Sequence, residues 1–397
     1  MIHLLYSADY ELFLGGIDQP EEAVLIEPTA RLLACCTRIG IPLTLFADVA
    51  CLWRYRALGL DRFPDLAEAQ LVEAIQNGHD VQSHLHPHWE TTRIEAGRFH
   101  FDPSSYLCGT CSPDPEARRR RTTAWLRRAA THLTELLTPH APDYRCIAFR
   151  AGGYGLQPDE AMLLAALHET GHRIDSSIIP GFTLHTPMQR VDFTRLPAHG
   201  NGWIAPRTGL NKPAPRGEGL MEIPIGACRF TPRHRLALRL PEALRQGWEI
   251  LLNRSGPAAR GTPCNEPIAT TSSAGRIKRA WWRFNTVLAR DFQRLELGTD
   301  PRPLLACFED HLRASGYREG QEDPLFVAMN IHPKGIHAGH LAALERFHDR
   351  VWRRHAGEIR TLTFQQAWRL VEAGIPTENG VRISVHGEPG AGQGSKA

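Results

Sequence analysis

His79-Asp80-Val81-Gln82-Ser83-His84-Leu85-His86-Pro87-His88 runs from a short apolar-polar stretch into three closely spaced imidazoles, placed where a strand should end. Such a cluster is hard to explain as packing. His84 and His88 stand at i and i+4, the spacing that sets two side chains on one face of a helical turn, and Pro87 is tolerated there if it falls in the first turn. Two neutral imidazoles so spaced make a chelating pair for zinc or a similar divalent ion, but a catalytic site generally wants a third protein ligand. The same residues could form a solvated loop, and His86 would share a face with His84 if a strand's period of two persisted. The other strand ends decide.

Outward from this stretch, apolar runs of strand length alternate with helical patterns, which predicts βα units around a parallel sheet or barrel. Strands are expected at 2–8, 42–47, 145–150, 220–225 and 325–331, with a short one near Ile359. Helices are expected at 21–38, 67–77, 113–137, 158–170, 340–355 and 363–372. Asp9 and Glu11 follow the first strand, Arg150 a middle one, Asp175 comes next, and His332 follows the last long run. In a βα barrel all these positions lie on the one face where sites are built.

These residues carry a resemblance to the polysaccharide deacetylase superfamily, the carbohydrate esterases with the chitin-oligosaccharide and peptidoglycan deacetylase homology domain. Its motifs have counterparts in order: Ser7-Ala8-Asp9-Tyr10-Glu11, the glycine-led run Gly78 to His88, Phe149-Arg150-Ala151-Gly152-Gly153-Tyr154, Ile174-Asp175-Ser176-Ser177 and Ile331-His332-Pro333. The resemblance implies an α/β fold, an irregular β/α barrel of about seven strands, formed by 1–228 and 320–372 and interrupted by a helical, basic insertion at 229–319. It implies Asp9 as general base, Glu11, His84 and His88 as ligands of a divalent metal, with Zn2+ the expected ion, and His332 as general acid. Arg150 is expected to hold Asp9, Asp175 to orient His332, and Gly153 or Tyr154 to offer an oxyanion-binding N–H. Two departures stand out: Asp9 and Glu11 replace the usual adjacent aspartates, and Ala151 and Gly152 replace prolines common after the arginine.

The implied chemistry suits these residue types. An amide needs an activated water, a stabilised oxyanion and a proton for the departing amine; a metal site, a carboxylate base and a histidine acid supply them. The expected activity is removal of N-acetyl groups from an amino sugar of a polysaccharide or its precursor, a carbohydrate substrate that lipid could carry. Two other readings stay open: hydrolysis of another C–N bond, as in cyclic ureides, and glycan binding without turnover.

Composition sets the remaining bounds. The 397 residues are 42% hydrophobic and 22% charged with a formal net charge of +3, so charge gives no argument for a nucleic-acid partner. The opening residues lack a basic leader region, and nine cysteines, an odd number, suit a reducing compartment; a cytoplasmic location is expected. Cys108 and Cys111 could hold a metal or cycle as a dithiol. The 276–284 segment mixes bases with Trp281, Trp282 and Phe284, which fits contact with an anionic membrane, an acidic glycan or core packing. A flexible loop is expected at 257–273 and a disordered tail at 376–397.

Overall fold

The computed structural model describes residues 1–13, 19–95, 98–196, 201–204, 210, 214, 219–251, 273–321 and 324–374. The expected tail, and all but the last residue of the expected 257–273 loop, lie outside them. Seven parallel strands carry the fold: β1 (Ile2–Tyr10), β2 (Leu43–Asp48), β3 (Asp80–Leu85), β4 (Ala148–Ala151), β5 (Ile174–Asp175), β6 (Leu220–Glu222) and β7 (Leu325–Ile331). They neighbour one another in the order β6-β5-β4-β3-β2-β1-β7. Just past β6 the chain returns to β7: Gly226 N–H donates to Ala328 O (2.9 Å) and Ala328 N–H to Pro224 O (3.2 Å). The sheet thus curls into the expected irregular β/α barrel. A short strand β8 (Ile359–Thr361) pairs with Ile2–Leu4 of β1, on the edge that β2 takes higher up, at Tyr6–Tyr10.

β1 and β7 are buried along their whole length, as near-continuous apolar runs in a helix-covered parallel sheet should be. Among the described residues there are ten α-helices: α1 (Glu27–Arg38), α2 (Val49–Ala57), α3 (Arg62–Gln76), α4 (Pro115–Leu137), α5 (Glu160–Glu169), α6 (Pro232–Leu251), α7 (Ser273–Ala289), α8 (Pro301–Ala314), α9 (Ala338–Arg354) and α10 (Phe364–Glu372). α9 buries Ala343, Leu344, Phe347 and Val351, one stripe of the 3.6-residue period. Its Phe347 ring meets Tyr6 of β1 and Phe308 of α8 edge-on. Gly78, at φ 82°, turns the chain from α3 into β3 in a conformation that a side chain would resist. No helix among the described residues is long and apolar enough to cross a membrane.

The strand expected at 145–150 starts only at Ala148. Gln82 explains this: its side-chain oxygen accepts from Ile147 N–H (2.9 Å) and Ala148 N–H (2.8 Å), and its amide donates to Arg145 O (3.1 Å), so a side chain substitutes for a strand partner. Most consequential is the expected insertion. It holds α6, α7 and α8, but Phe292–Arg294 pairs antiparallel with Ala227–Arg229. Beyond it, Leu295 N–H donates to Gly226 O (2.6 Å), Asn330 N–H to Leu295 O (2.9 Å) and Leu297 N–H to Asn330 O (3.0 Å). Residues 295–297 therefore lie in the barrel wall beside the C-terminal end of β7.

Candidate active site

Alternation along β1 aims Ser7, Asp9 and Glu11 at one side, and the same period of two sets Asn330, His332 and Lys334 together at the end of β7. These groups meet Arg150 of β4, which is fully buried. Its five N–H donors find five acceptors: Asp9 Oδ1 (2.7 Å), Asn330 Oδ1 (2.9 Å), Ser7 Oγ (2.8 Å), Ser176 Oγ (3.1 Å) and Ser176 O (3.0 Å). Asp9 accepts a further bond from Asn330 Nδ2 (3.0 Å) on Oδ2. Burial alone would raise the Asp9 pKa, but the charges of Arg150, His84 and His332 outweigh it and hold the carboxyl below its ordinary value.

Glu11 divides its two oxygens. Oε1 accepts from Lys334 Nζ (2.7 Å), while Oε2 lies 2.6 Å from His86 Nε2 and 3.3 Å from His84 Nε2. Despite burial its pKa is held well down, chiefly by Lys334 and His86. His84 Nδ1 is 2.8 Å from the Arg150 carbonyl, which can only accept, so the proton sits on Nδ1 and a neutral ring turns its Nε2 lone pair toward Glu11. A lone pair facing a carboxylate needs a proton or a cation between them. Burial opposes the proton, yet Glu11 and Asp9 raise the His84 pKa. A divalent cation would satisfy the same arrangement. The donor set of one carboxylate and two imidazoles, with ligand atoms all within 4.8 Å of one another, therefore fits a metal.

The ligand grouping differs from the sequence expectation. The structure joins Glu11 and His84 with His86, and His88 belongs to neither group of converging ligand atoms among the described residues. Backbone period is the reason. His86 is still extended (φ −113°, ψ 102°), so it keeps to the His84 side, and only at Pro87–Glu90 does a short helical turn begin. His88 packs its ring beside Phe101 and Tyr106, and burial, then the charge of His86, pushes its pKa well down. Asp48, at the end of β2, pins this turn by accepting from His86 N–H (3.3 Å) and Trp89 Nε1 (2.7 Å).

The departures after the arginine have a steric meaning. A Cβ at Gly152 would stand 2.6 Å from His86 Nδ1 and 2.6 Å from Leu85 O, so only glycine lets the His86 ring lie there. Gly153 and Tyr154 follow with φ of 61° and 59°, and a left-handed tyrosine is strained backbone next to the site. The Tyr154 hydroxyl reaches it, 3.4 Å from Asn330 Nδ2.

His332 has a different orienting partner from the one expected. Its Nδ1 lies 3.0 Å from Glu296 Oε1, and its Nε2 lies 3.4 Å from Asp9 Oδ2. Burial would lower its pKa, but the bond to Glu296 and the charges of Glu296 and Asp9 raise it above 6.5. Burial likewise fails to lift Glu296, which Arg294 and His332 hold at about 2. Asp175 instead accepts from Ser177 N–H (3.0 Å) and Ser177 Oγ (2.8 Å), under the barrel floor of Arg150 and beside Glu222. Cys108 and Cys111 are buried free thiols, and burial raises both pKa values. Neither joins a metal-ligand group among the described residues.

Sequence reasoning missed Glu296, Asn330, Lys334 and Asp48. The period of two beside His332 could have found Asn330 and Lys334; nothing local marks Glu296.

No protein-family model matches the chain, and no curated protein matches it in sequence. Among solved structures it is similar to a Mycobacterium smegmatis chain assigned as a polysaccharide deacetylase, at a TM-score of 0.45 and 14% identity over 98% of this chain and 94% of that one. The PuuE allantoinase follows at 0.44 and 16%, over 94% and 90%. A Pseudomonas aeruginosa PAO1 chain, also assigned as a polysaccharide deacetylase, gives 0.42 and 15%, over 95% and 93%. At such identities the chemistry must be read from the site itself.

The Asp175 and Glu222 carboxyls generate a pH prediction. Both pKa values are raised by burial, and Glu222 is lifted well above 4.5 with Asp175 adding to the effect. The Ile178 N–H favours the Glu222 carboxylate only weakly against burial and the Asp175 charge, and as an acid Glu222 can donate to Asp175. A carboxyl with a raised pKa keeps its proton in the fold and loses it on unfolding, so stability is full below the unfolded pKa and falls as pH rises toward the folded one. Glu222→Gln should flatten that fall, gaining about 1.4 kcal/mol over the parent at high pH for each unit of upward shift. Denaturation midpoints at pH 4.5 and 8 check it; an equal loss at both would mean that Glu222 is ionised in the fold.

Proposed function

We propose that this protein is a metal-dependent amide hydrolase that removes N-acetyl groups from an amino sugar of a polysaccharide or its precursor. The observation that carries the reading is the convergence of Asp9, Glu11, His84, His86 and His332 on the C-terminal face of the barrel, with Arg150 beneath them. A metal would be held by Glu11 Oε2, His84 and His86. When bound, a divalent ion such as Zn2+ lowers the pKa of a water to about 7 and polarises a carbonyl.

The chain's own groups divide the proton work. Arg150 and Asn330 keep Asp9 ionised and fixed, and its Oδ2, beside His332, takes the proton of the attacking water. Glu296 holds His332 by Nδ1, so that Nε2 faces the site, and the raised pKa favours the protonated ring. Nε2 passes its proton to the departing amine, yielding acetate and the free amino sugar. Lys334 neutralises the second oxygen of Glu11 and lies where it could also meet a developing negative charge. The test is metal content together with acetate release from a panel of N-acetyl sugars; turnover of ureides without acetate would replace the acetyl part of the reading.

Two sets of variants divide the roles. Glu11→Gln, His84→Ala and His86→Ala should each remove most bound metal by elemental analysis, while His88→Ala keeps near-parent content. Comparable loss from His88→Ala would return it to the ligand set. Asp9→Asn and His332→Ala should keep metal and lower kcat by about 10² to 10⁴, the usual scale of a general base or acid. Metal loss from Asp9→Asn with retention in Glu11→Gln would exchange the two carboxylates' roles.

We also propose that α6 and α7 rest on an anionic membrane surface. Among the described residues, seven of the eleven exposed large apolar side chains belong to these two packed helices: Leu236, Leu244, Trp248, Leu251, Ile277, Trp281 and Trp282. α7 adds Lys278, Arg279 and Arg283 and carries no acid, so its charge complements anionic lipid. Because Trp248 and Trp281 are 60% and 64% exposed, core packing does not explain them. Trp248→Ala with Trp281→Ala should shift unfolding by less than about 0.5 kcal/mol per site, yet weaken sedimentation with phosphatidylglycerol vesicles. Lys278→Gln with Arg279→Gln should weaken it in a salt-dependent way. Binding unchanged in both double variants would remove the membrane role.

A further inference from the structure

A separate open cavity of about 540 Å³ has four arginines among its eight polar lining residues: Arg245 of α6, Arg302 of α8, and Arg346 and Arg350 of α9. Two carboxylates share the wall, and each is already engaged. Asp300 caps α8 and accepts from Arg302 Nε (3.0 Å), and Glu242 accepts from Arg239 (3.2 Å). Arg245 donates to Thr299 Oγ1 (3.0 Å). Arg346 and Arg350, one helical turn apart, form no ion pair among the described residues.

The backbone adds to this charge. α8 and α9, of 14 and 17 residues, both begin at the cavity; the Asp300 carboxylate already meets the N-terminus of α8, whereas α9 has no acid at its cap or in its first turn. α9 is capped by His337, whose Nδ1 accepts from Gly339 N–H (3.1 Å), and by His340, which accepts from His337 N–H (3.4 Å). Neutral imidazoles in place of a capping carboxylate leave the positive end of the helix dipole unopposed. Such a helix end, ringed by guanidinium forks, suits a phosphate.

The chain ties this cavity to the catalytic centre. Asp300 follows Glu296 by four residues and His337 follows His332 by five, so neither wall can stand further than about 14 to 18 Å from its site residue. We propose that the cavity binds a phosphate or diphosphate group of the substrate, which makes the substrate a phosphorylated N-acetylamino sugar or glycan. This assignment rests on the amide-hydrolase reading for the word substrate, but not for the anion site itself.

Titration calorimetry of the full chain with inorganic pyrophosphate tests the site without turnover. The parent should bind it in a salt-sensitive way, and Arg346→Gln with Arg350→Gln should weaken binding about tenfold or more, the scale of losing one charge-assisted hydrogen bond. Arg353→Gln, on the same helix but paired with Asp349 and outside the cavity wall, should bind as the parent does. Unfolding midpoints confirm that each variant is folded. In acetate assays the parent should show a lower KM for N-acetylglucosamine 1-phosphate than for N-acetylglucosamine, and the double variant should lose that preference. A prenyl diphosphate-linked sugar, run beside a nucleotide diphosphate-linked one, identifies whether lipid or nucleotide carries the phosphate.

Absence of pyrophosphate binding in the folded parent, or binding unaffected by the double substitution, would overturn the site. An unchanged KM preference in a variant that no longer binds pyrophosphate would overturn its role toward substrate. Arginine-dependent pyrophosphate binding without acetate release from any sugar would uphold the anion site and sink the hydrolase reading instead.

Discussion

A single guanidinium, that of Arg150, sets where everything else in the site can stand. It is wholly buried, and a buried cation is tolerable only when every donor is met and an anion lies beside it. Ser7 and Asp9 come from β1, Asn330 from β7 and Ser176 from the loop after β5, so three distant parts of the barrel are bound to one side chain of β4. Its planar fork is satisfied by all of them at once, and it lies over the Phe46 ring at 4.2 Å. Losing one acceptor would leave charge uncompensated in the barrel interior. That fixes Asp9 in position and keeps it ionised.

Around this floor the charges alternate in a way that divides labour among similar groups. The carboxyls of this region are separated by their environments. Asp9 and Glu11 are held down by Arg150 and Lys334, and Glu296 by Arg294, while Glu222 is lifted by burial and by Asp175. The first three are biased toward the carboxylate form and Glu222 toward the acid. His84 and His88 part in the same manner. His84 faces Glu11 and Asp9 and is pushed toward the charged form, whereas His88, packed among aromatic rings, is pushed toward the neutral one.

Residues 292–297 join regions that the sequence presents as separate. Their pairing with Ala227–Arg229 and with Asn330 brings Glu296 to His332 and, a few residues later, starts α8 at the arginine-lined cavity. The helical excursion of α6 and α7 is thus anchored through the barrel wall that carries Glu296 and Asn330.

Apolar runs of strand length, glycine stops and the order of polar residues at strand ends were enough to read an irregular β/α barrel from the sequence, and to expect Asp9, Glu11, His84, Arg150 and His332 together at one end of it, where the structure brings them into contact. Those signals are local: burial on both faces makes a parallel strand continuously apolar, and polar groups at its end have nowhere else to go. Which groups touch is not local. His86 rather than His88 meets Glu11 because the backbone stays extended one residue past β3, and because Gly152, on a neighbouring segment, leaves room for its ring. Glu296 rather than Asp175 holds His332 because a segment 36 residues upstream hydrogen-bonds into the barrel wall, while Asp175 is spent on Ser177. Spacing along a chain specifies which residues share a face, and only the closed barrel decides which faces meet.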